Sequence, residues 1–152
     1  MAQPLNFFFA IKQYNQGKID SHHYFFRGFC SYLRPEFVAL VDIGTEPQDG
    51  AISKLYEYLD ENPGTGGVCG EIEVDTTSFG LCNKTMQYFL IGAQFIEYKL
   101  SHYLDKAFEA CFGFVAVLPG AFSAFRLRAI EGGPLDEFFR GMDTTKDSFN
   151  CF

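Results

Sequence analysis

A chain of 152 residues, 47% apolar and 20% charged, can bury the core of one globular domain, and its 19 Phe and 8 Tyr beside no Trp argue against disorder and for a bulky aromatic core. The formal net charge of -7 argues against nucleic acid as a partner, because phosphate backbones are met by basic faces. Five Cys at positions 30, 69, 82, 111 and 151, odd in number and without a C-x-x-C pair, argue against a disulfide framework or a zinc site and read as buried thiols of a reducing compartment.

In chain order, Leu5 to Ile11 is a short apolar run between Pro4 and Lys12, whose length predicts a buried strand. After a polar turn, Asp20 or Ser21 caps a predicted helix that carries Phe25, Phe29 and Leu33 on one face and ends at Pro35. Phe37 to Val41 is a second buried strand. A helix opened by Pro47 and Gly50 follows through Tyr56 and Leu59, and Asn62-Pro63-Gly64 closes it. Gly67 to Val74 reads as a third strand. Asn83 to Ala110 gives the longest helical signal, with Met86, Leu90, Ala93, Leu100 and Leu104 on one stripe together with Glu97. Phe114 to Leu118 is a strand candidate, Ala121 to Leu127 a further segment, and Pro134 to Phe139 a short helix.

This alternation predicts an α/β domain with a largely parallel sheet, in which ligands sit at the carboxyl ends of strands. The start of the chain lacks the basic residues and cleavage site of an export signal. Its longest apolar stretch, Phe112 to Phe125, is broken by Gly113, Pro119 and Gly120 and is shorter than the ~20 residues a membrane helix needs, so no span is expected in these residues.

Several residues have the chemistry of a site, each with a plainer alternative. Asp42 directly follows an apolar strand, where it either meets a ligand or orders the turn. Lys18 lies beside Gly17 before a helix start, where a cation and backbone N–H groups can meet phosphate, or it is a solvated lysine. His22 and His23 are neighbours that point to different faces and have no acidic partner at ligand spacing, which speaks against a metal. Glu71 ends a strand and can hydrogen-bond a nucleotide or sugar, or cap a turn. Glu97, on an apolar stripe, calls for an ion-pair partner, with Lys99 pointing elsewhere on the helix. Pro119-Gly120-Ala121 allows close backbone approach to a ligand, or forms a tight core turn.

Five segments taken together go further than any one of them. Lys18-Ile19-Asp20-Ser21-His22, Asp42-Ile43-Gly44-Thr45-Glu46-Pro47, Cys69-Gly70-Glu71-Ile72, Glu97-Tyr98-Lys99 with Leu104-Asp105-Lys106, and Leu118-Pro119-Gly120-Ala121-Phe122-Ser123-Ala124-Phe125-Arg126 resemble, in order and spacing, the central block of chitin synthases. The pattern departs at Asp20-Ser21-His22-His23-Tyr24, where many members have Asn-Ser-His-Arg-Trp, and at Glu46, where a basic residue is common.

The resemblance implies an incomplete GT-A type nucleotide-sugar-binding fold over residues 1–152 as a single partial catalytic domain. It implies transfer of N-acetylglucosamine from UDP-N-acetylglucosamine to a growing chitin chain, with Mg2+ or Mn2+ as cofactor. Asp42 is then the metal and diphosphate residue, Thr45 a weaker candidate on the same loop, and Lys18, Glu71, Gly120, Ala121, Ser123 and Arg126 the substrate-binding set, Arg126 having solvent as its alternative. A bare Asp42 at ~4 Å from a phosphate charge costs about 4 kcal/mol at an effective dielectric of ~20, and a bridging divalent ion reverses that sign.

The family's Glu-Asp-Arg and Gln-Arg-Arg-Arg-Trp motifs do not occur in these residues. The general base is therefore expected beyond Phe152, no catalytic residue is assigned here, and the isolated chain reads as an inactive piece. The parent enzyme is expected in the plasma membrane with this domain on the cytosolic face, and a homodimer is among the arrangements the resemblance allows. Two alternatives stand: a fragment of a related synthase such as one making hyaluronan, and a non-catalytic binding protein derived from this domain.

Overall fold

The computed structural model describes residues 6–14, 16–74 and 84–148. In chain order the elements are α1 (Gly17–His23), a π-helical segment (Tyr24–Cys30) and α2 (Ser31–Leu33), then β1 (Phe37–Val41), α3 (Ala51–Glu61) and β2 (Gly67–Cys69). They continue with α4 (Lys84–Leu100), a second π-helical segment (Ser101–Lys106) and α5 (Ala107–Cys111), and end with β3 (Phe122–Arg126), α6 (Leu127–Ile130) and α7 (Gly133–Ser148). The chain divides into two compact units, one of residues 1–34 with 131–152 and one of residues 35–130.

The regular structure of the first unit, among its described residues, is helical. α1, the π-helical segment and α2 run on as one rod. It stops where Arg34 takes a left-handed conformation, with φ 49°, and returns its N–H to the Cys30 carbonyl at 2.9 Å. Pro35 forbids continuation, as the sequence predicts. The rod packs aromatic edges against α7: His22 stacks on Phe138 at 5.9 Å and His23 meets Phe139 at 5.0 Å, so both imidazoles serve packing. Arg27 pairs with Asp136, and Arg34 with Glu131 at 2.7 Å. The strand expected at Leu5 to Ile11 is not formed. Residues 6–11 are irregular and Phe7, Phe8, Phe9 and Ile11 are exposed, since a strand needs a ladder and this unit offers helices.

The second unit is a mixed α/β layer with a three-stranded sheet in the order β1-β3-β2. β1 pairs with β3 antiparallel through Phe37↔Arg126 to Val41↔Phe122, and β2 pairs with β3 antiparallel through Gly67↔Phe125 to Cys69↔Ser123. This corrects the expectation of a largely parallel sheet. β1 and β2 do point the same way, as a β-α-β alternation requires, but β3 inserts between them in the opposite sense.

α3 covers one face. Leu55 and Leu59, one turn apart, bury with Phe122 and Ala124, which alternate on β3, while Phe37, Ala51 and Val68 close the margins. The helix starts after Gly50, whose φ of 75° suits the absent side chain, and its end is held by Asn62 Nδ2 donating to the Tyr58 carbonyl at 2.9 Å.

Three further expectations change here. β2 stops at Cys69 rather than Val74, because its partner begins at Phe122 and leaves nothing to pair beyond. Phe114 to Leu118 forms no strand; Phe114 and Val117 are exposed and Ala116 N–H donates to Glu109 Oε2 at 2.9 Å. The α4 stripe is not buried: Leu90, Leu100 and Leu104 are exposed, and Met86 has its side chain outside the described residues.

Of the cysteines, Cys30 is buried as expected, Cys69 is half-buried and Cys111 is exposed, while Cys82 and Cys151 lie outside the described residues. Among the described residues no helix is long and apolar enough to cross a membrane.

Candidate functional site

Inserting β3 between two co-directional strands gathers three loops at one end of the sheet. The carboxyl ends of β1 and β2 lie there, beside the amino end of β3. Asp42 follows β1 directly, and its N–H donates to the Ala121 carbonyl at 3.0 Å, which extends the β1–β3 ladder one step into the loops. Gly70 follows β2 directly and donates to the Phe122 carbonyl at 3.2 Å. Asp42, Gly70, Ala121 and, by chain continuity, Glu71 and Gly120 therefore share this end.

The sequence sets each loop locally. After Asp42 the chain reverses through Ile43 and Gly44, with φ 90° at Gly44, and Thr45 N–H returns to the Asp42 carbonyl at 3.0 Å. Asp42 and Thr45 are both half-buried, and Ile43 is fully exposed. Gly70 lies against the Phe122 ring so closely that a Cβ there would run into it. Gly120 and Ala121 form the turn into β3 and are half-buried.

Glu71 is engaged from the side. Lys99 at the end of α4 donates to Glu71 Oε1 and, at 2.6 Å, to Glu73 Oε1, and Tyr103 Oη donates to Glu71 Oε2 at 3.3 Å. The Lys99 ammonium also lies 5.5 Å from the Phe95 ring centroid and 5.6 Å from that of Tyr103. The hydrogen bond from Lys99 holds the Glu71 carboxyl below its ordinary value, and the two carboxylates push the Lys99 ammonium above its own. Cys69 titrates above the usual thiol value through burial, with Lys106 opposing.

Two predicted site residues are placed elsewhere. Ser123 is wholly buried in mid-strand, with its Oγ lacking a hydrogen-bond partner, so a sugar has no access to it in this structure. Arg126 lies at the far end of β3, about 16 Å from Ala121 at the usual strand rise. It neither faces solvent nor reaches the loops. It is 4% exposed, donates to Glu36 Oε1 at 2.9 Å, to the Leu59 carbonyl and to the Thr65 carbonyl at 3.4 Å, and stacks over Phe37 at 4.7 Å. Lys18, the second residue of α1, is exposed and belongs to the first unit. Glu97 is exposed, so the burial cost that called for an ion-pair partner does not arise.

The residue that sequence reasoning passed over is Lys99. Its signal was there: Lys99, Tyr103 and Lys106 recur at helical spacing, opposite a Glu-x-Glu pair at a strand end.

Among the described residues no group of three or more His, Cys, Asp or Glu is arranged to hold a metal ion. A single half-buried carboxylate on a strand-end loop therefore does not fit a resident all-protein cation site. It does fit an Mg2+ or Mn2+ ion that arrives with a diphosphate, since such ions keep one or two carboxylates and take their other ligands from phosphate and water.

The comparisons with known proteins agree with one another. A family model, the chitin synthase-like glycosyltransferase domain, matches residues 1–152. Chitin synthase 1 of Phytophthora sojae is 41% identical over 98% of this chain and 16% of its own length. Chitin synthase 1 of Saccharomyces cerevisiae is 42% identical over 98% of this chain and 13% of its own length, and chitin synthase 2 of Mycosarcoma maydis 42% identical over 91% of this chain and 13% of its own. The chain thus spans under a fifth of the length of these relatives. With a family match along every residue and loops gathered at one end of the sheet, the chain belongs to the chitin synthase-like glycosyltransferase domain family.

Proposed function

We propose that this chain is part of the donor-binding region of a chitin synthase, which transfers N-acetylglucosamine from UDP-N-acetylglucosamine to a growing β-1,4-linked chitin chain. The observation that carries the reading is the Asp42 N–H to Ala121 carbonyl bond, which joins the loop carrying the carboxylate to the small-residue turn at Gly120 and Ala121. Asp42 supplies a ligand to a divalent cation carried by the diphosphate; the cation, when bound, neutralises the leaving group's charge. Gly120 and Ala121 let backbone approach the sugar, and Thr45 tightens the Asp42 turn. The GT-A type of fold, a membrane-embedded parent enzyme with this region on its cytosolic face, and a homodimeric assembly belong to the same proposal. Residues 1–152 contain no Glu-Asp-Arg, so the base for the acceptor hydroxyl is not assigned within them.

Asp42→Asn is the test, made in a full-length chitin synthase carrying this segment and assayed with radiolabelled UDP-N-acetylglucosamine. Loss of one of few cation ligands is expected to abolish polymer formation and to weaken Mg2+-dependent UDP binding by at least about tenfold. Substantial synthesis at ordinary Mg2+ would show that another carboxylate holds the ion.

A further inference from the structure

The contacts between the long helix and the exit of β2 have no part in the reading above. Both Glu71 oxygens are engaged by the helix, Oε1 by Lys99 and Oε2 by Tyr103, and Lys99 also holds Glu73 at 2.6 Å. Glu71 and Glu73 stand two residues apart on an irregular stretch, where two like charges on one side repel unless a cation lies between them. Lys99 occupies that place. One residue earlier, Gly70 N–H is bonded to the Phe122 carbonyl, and the residue before Phe122 accepts from Asp42 N–H at 3.0 Å. A continuous set of contacts thus runs from Lys99 through Glu71 and Gly70 to the backbone that carries Asp42 and Ala121.

We propose that Lys99 is a positioning residue for donor binding: by bracing Glu71 and Glu73 it fixes the Gly70 exit against β3 and so holds the sheet end that receives the nucleotide sugar. The inference rests on the donor-site reading of that end. It also reassigns Glu71, which serves the helix rather than the sugar. A cation held by two carboxylates and two aromatic faces is itself poorly placed to meet phosphate, so its influence is indirect.

The test uses a full-length chitin synthase carrying this segment, titrated with UDP in the presence of Mn2+ and followed in parallel by amide hydrogen exchange. Variants are Lys99→Gln, Lys99→Arg and, as a charge control on an exposed side of α3, Lys54→Gln. Lys99→Gln is expected to weaken UDP binding about 10-fold, the low end of what loss of an outer supporting contact costs. It should speed exchange over residues 70–74 while leaving the β1–β3 ladder protected. Lys99→Arg restores most of both effects, because a guanidinium can still bridge two carboxylates, and Lys54→Gln changes neither. Wild-type affinity in Lys99→Gln overturns the inference and leaves the donor site standing. Faster exchange throughout the chain also overturns it, since Lys99 would then serve stability in general. Wild-type UDP affinity in Asp42→Asn of the same enzyme removes the donor-site reading and this inference with it.

Discussion

Replacing Arg126 with Ala tests whether this buried arginine belongs to the fold or to the site. Its ion pair with Glu36 is worth little, about 0–1 kcal/mol, because the Glu36 side chain is 67% exposed and stays hydrated when the arginine leaves. The stacking over Phe37 is partly desolvated and contributes about 1 kcal/mol. The larger part comes from the Leu59 carbonyl, which loses a charged donor in a buried setting at about 1.5–3 kcal/mol; the Thr65 contact at 3.4 Å is too long to add much. Together these give a loss of about 2.5–5 kcal/mol. For a chain of this size that lowers the melting midpoint by roughly 5–20 °C. Thermal unfolding followed by far-ultraviolet circular dichroism measures it. Glu36→Gln, run beside it, should shift the midpoint by only a few degrees. Equal shifts in the two variants would show that the ion pair carries the effect. An unshifted Arg126→Ala that has lost donor binding would return Arg126 to the site and refute its assignment to the fold.

Gly70→Ala should cost about 1–3 kcal/mol in urea unfolding, because the added methyl meets the Phe122 ring and that ring is locked in the core against Leu55 and Leu59. An unchanged midpoint would mean that the ring swings aside. Glu71 has its titration lowered by Lys99, with Tyr103 and His102 acting in the same sense, while Lys99 is raised by Glu71 and Glu73. The depressed carboxylate stabilises the contact fully above its ordinary 4.5 and loses that as pH falls through its folded value. The raised ammonium contributes fully below its ordinary 10.5 and is lost as pH rises through its folded value. Carboxyl-carbon NMR should therefore show Glu71 titrating below 4.5 in the wild type and nearer to it in Lys99→Gln; a wild-type midpoint at or above 4.5 refutes the contact.

What could be read from the sequence was local. Phe37–Val41 and Ala51–Glu61 emerge close to where the apolar run, Gly50 and Asn62-Pro63-Gly64 place them, because propensity and punctuation act over a few residues. Strand direction was not readable, since a period of two reports which face a residue takes and not which way its neighbour runs. The same limit misplaced Arg126: it belongs to the segment that brings Gly120 to the site, yet five strand residues carry it to the opposite end. The place of Asp42 just after an apolar strand was legible, but its bond to Ala121 joins residues far apart in the chain and appears only when β3 is seated between its neighbours. Lys99 was misjudged because the helix was read by its apolar stripe, whereas its contact with the β2 exit is charged.

The strand order has a consequence for how the molecule is made. β3 joins both other strands, and β1 and β2 share no hydrogen bonds, so no ladder among the described residues exists until Phe122–Arg126 has been synthesised. The stretch from Gly70 to Ala121, which holds the long helix, must emerge first. At roughly 5–20 residues per second that interval lasts about 3–10 s. During it α3 has half of its core partners, Leu55 and Leu59 facing a place that Phe122 and Ala124 have yet to fill. The nascent chain is therefore most open to capture by chaperones just before its central strand arrives, and in any product ending before Phe122 the described residues have helices but no sheet to hold them.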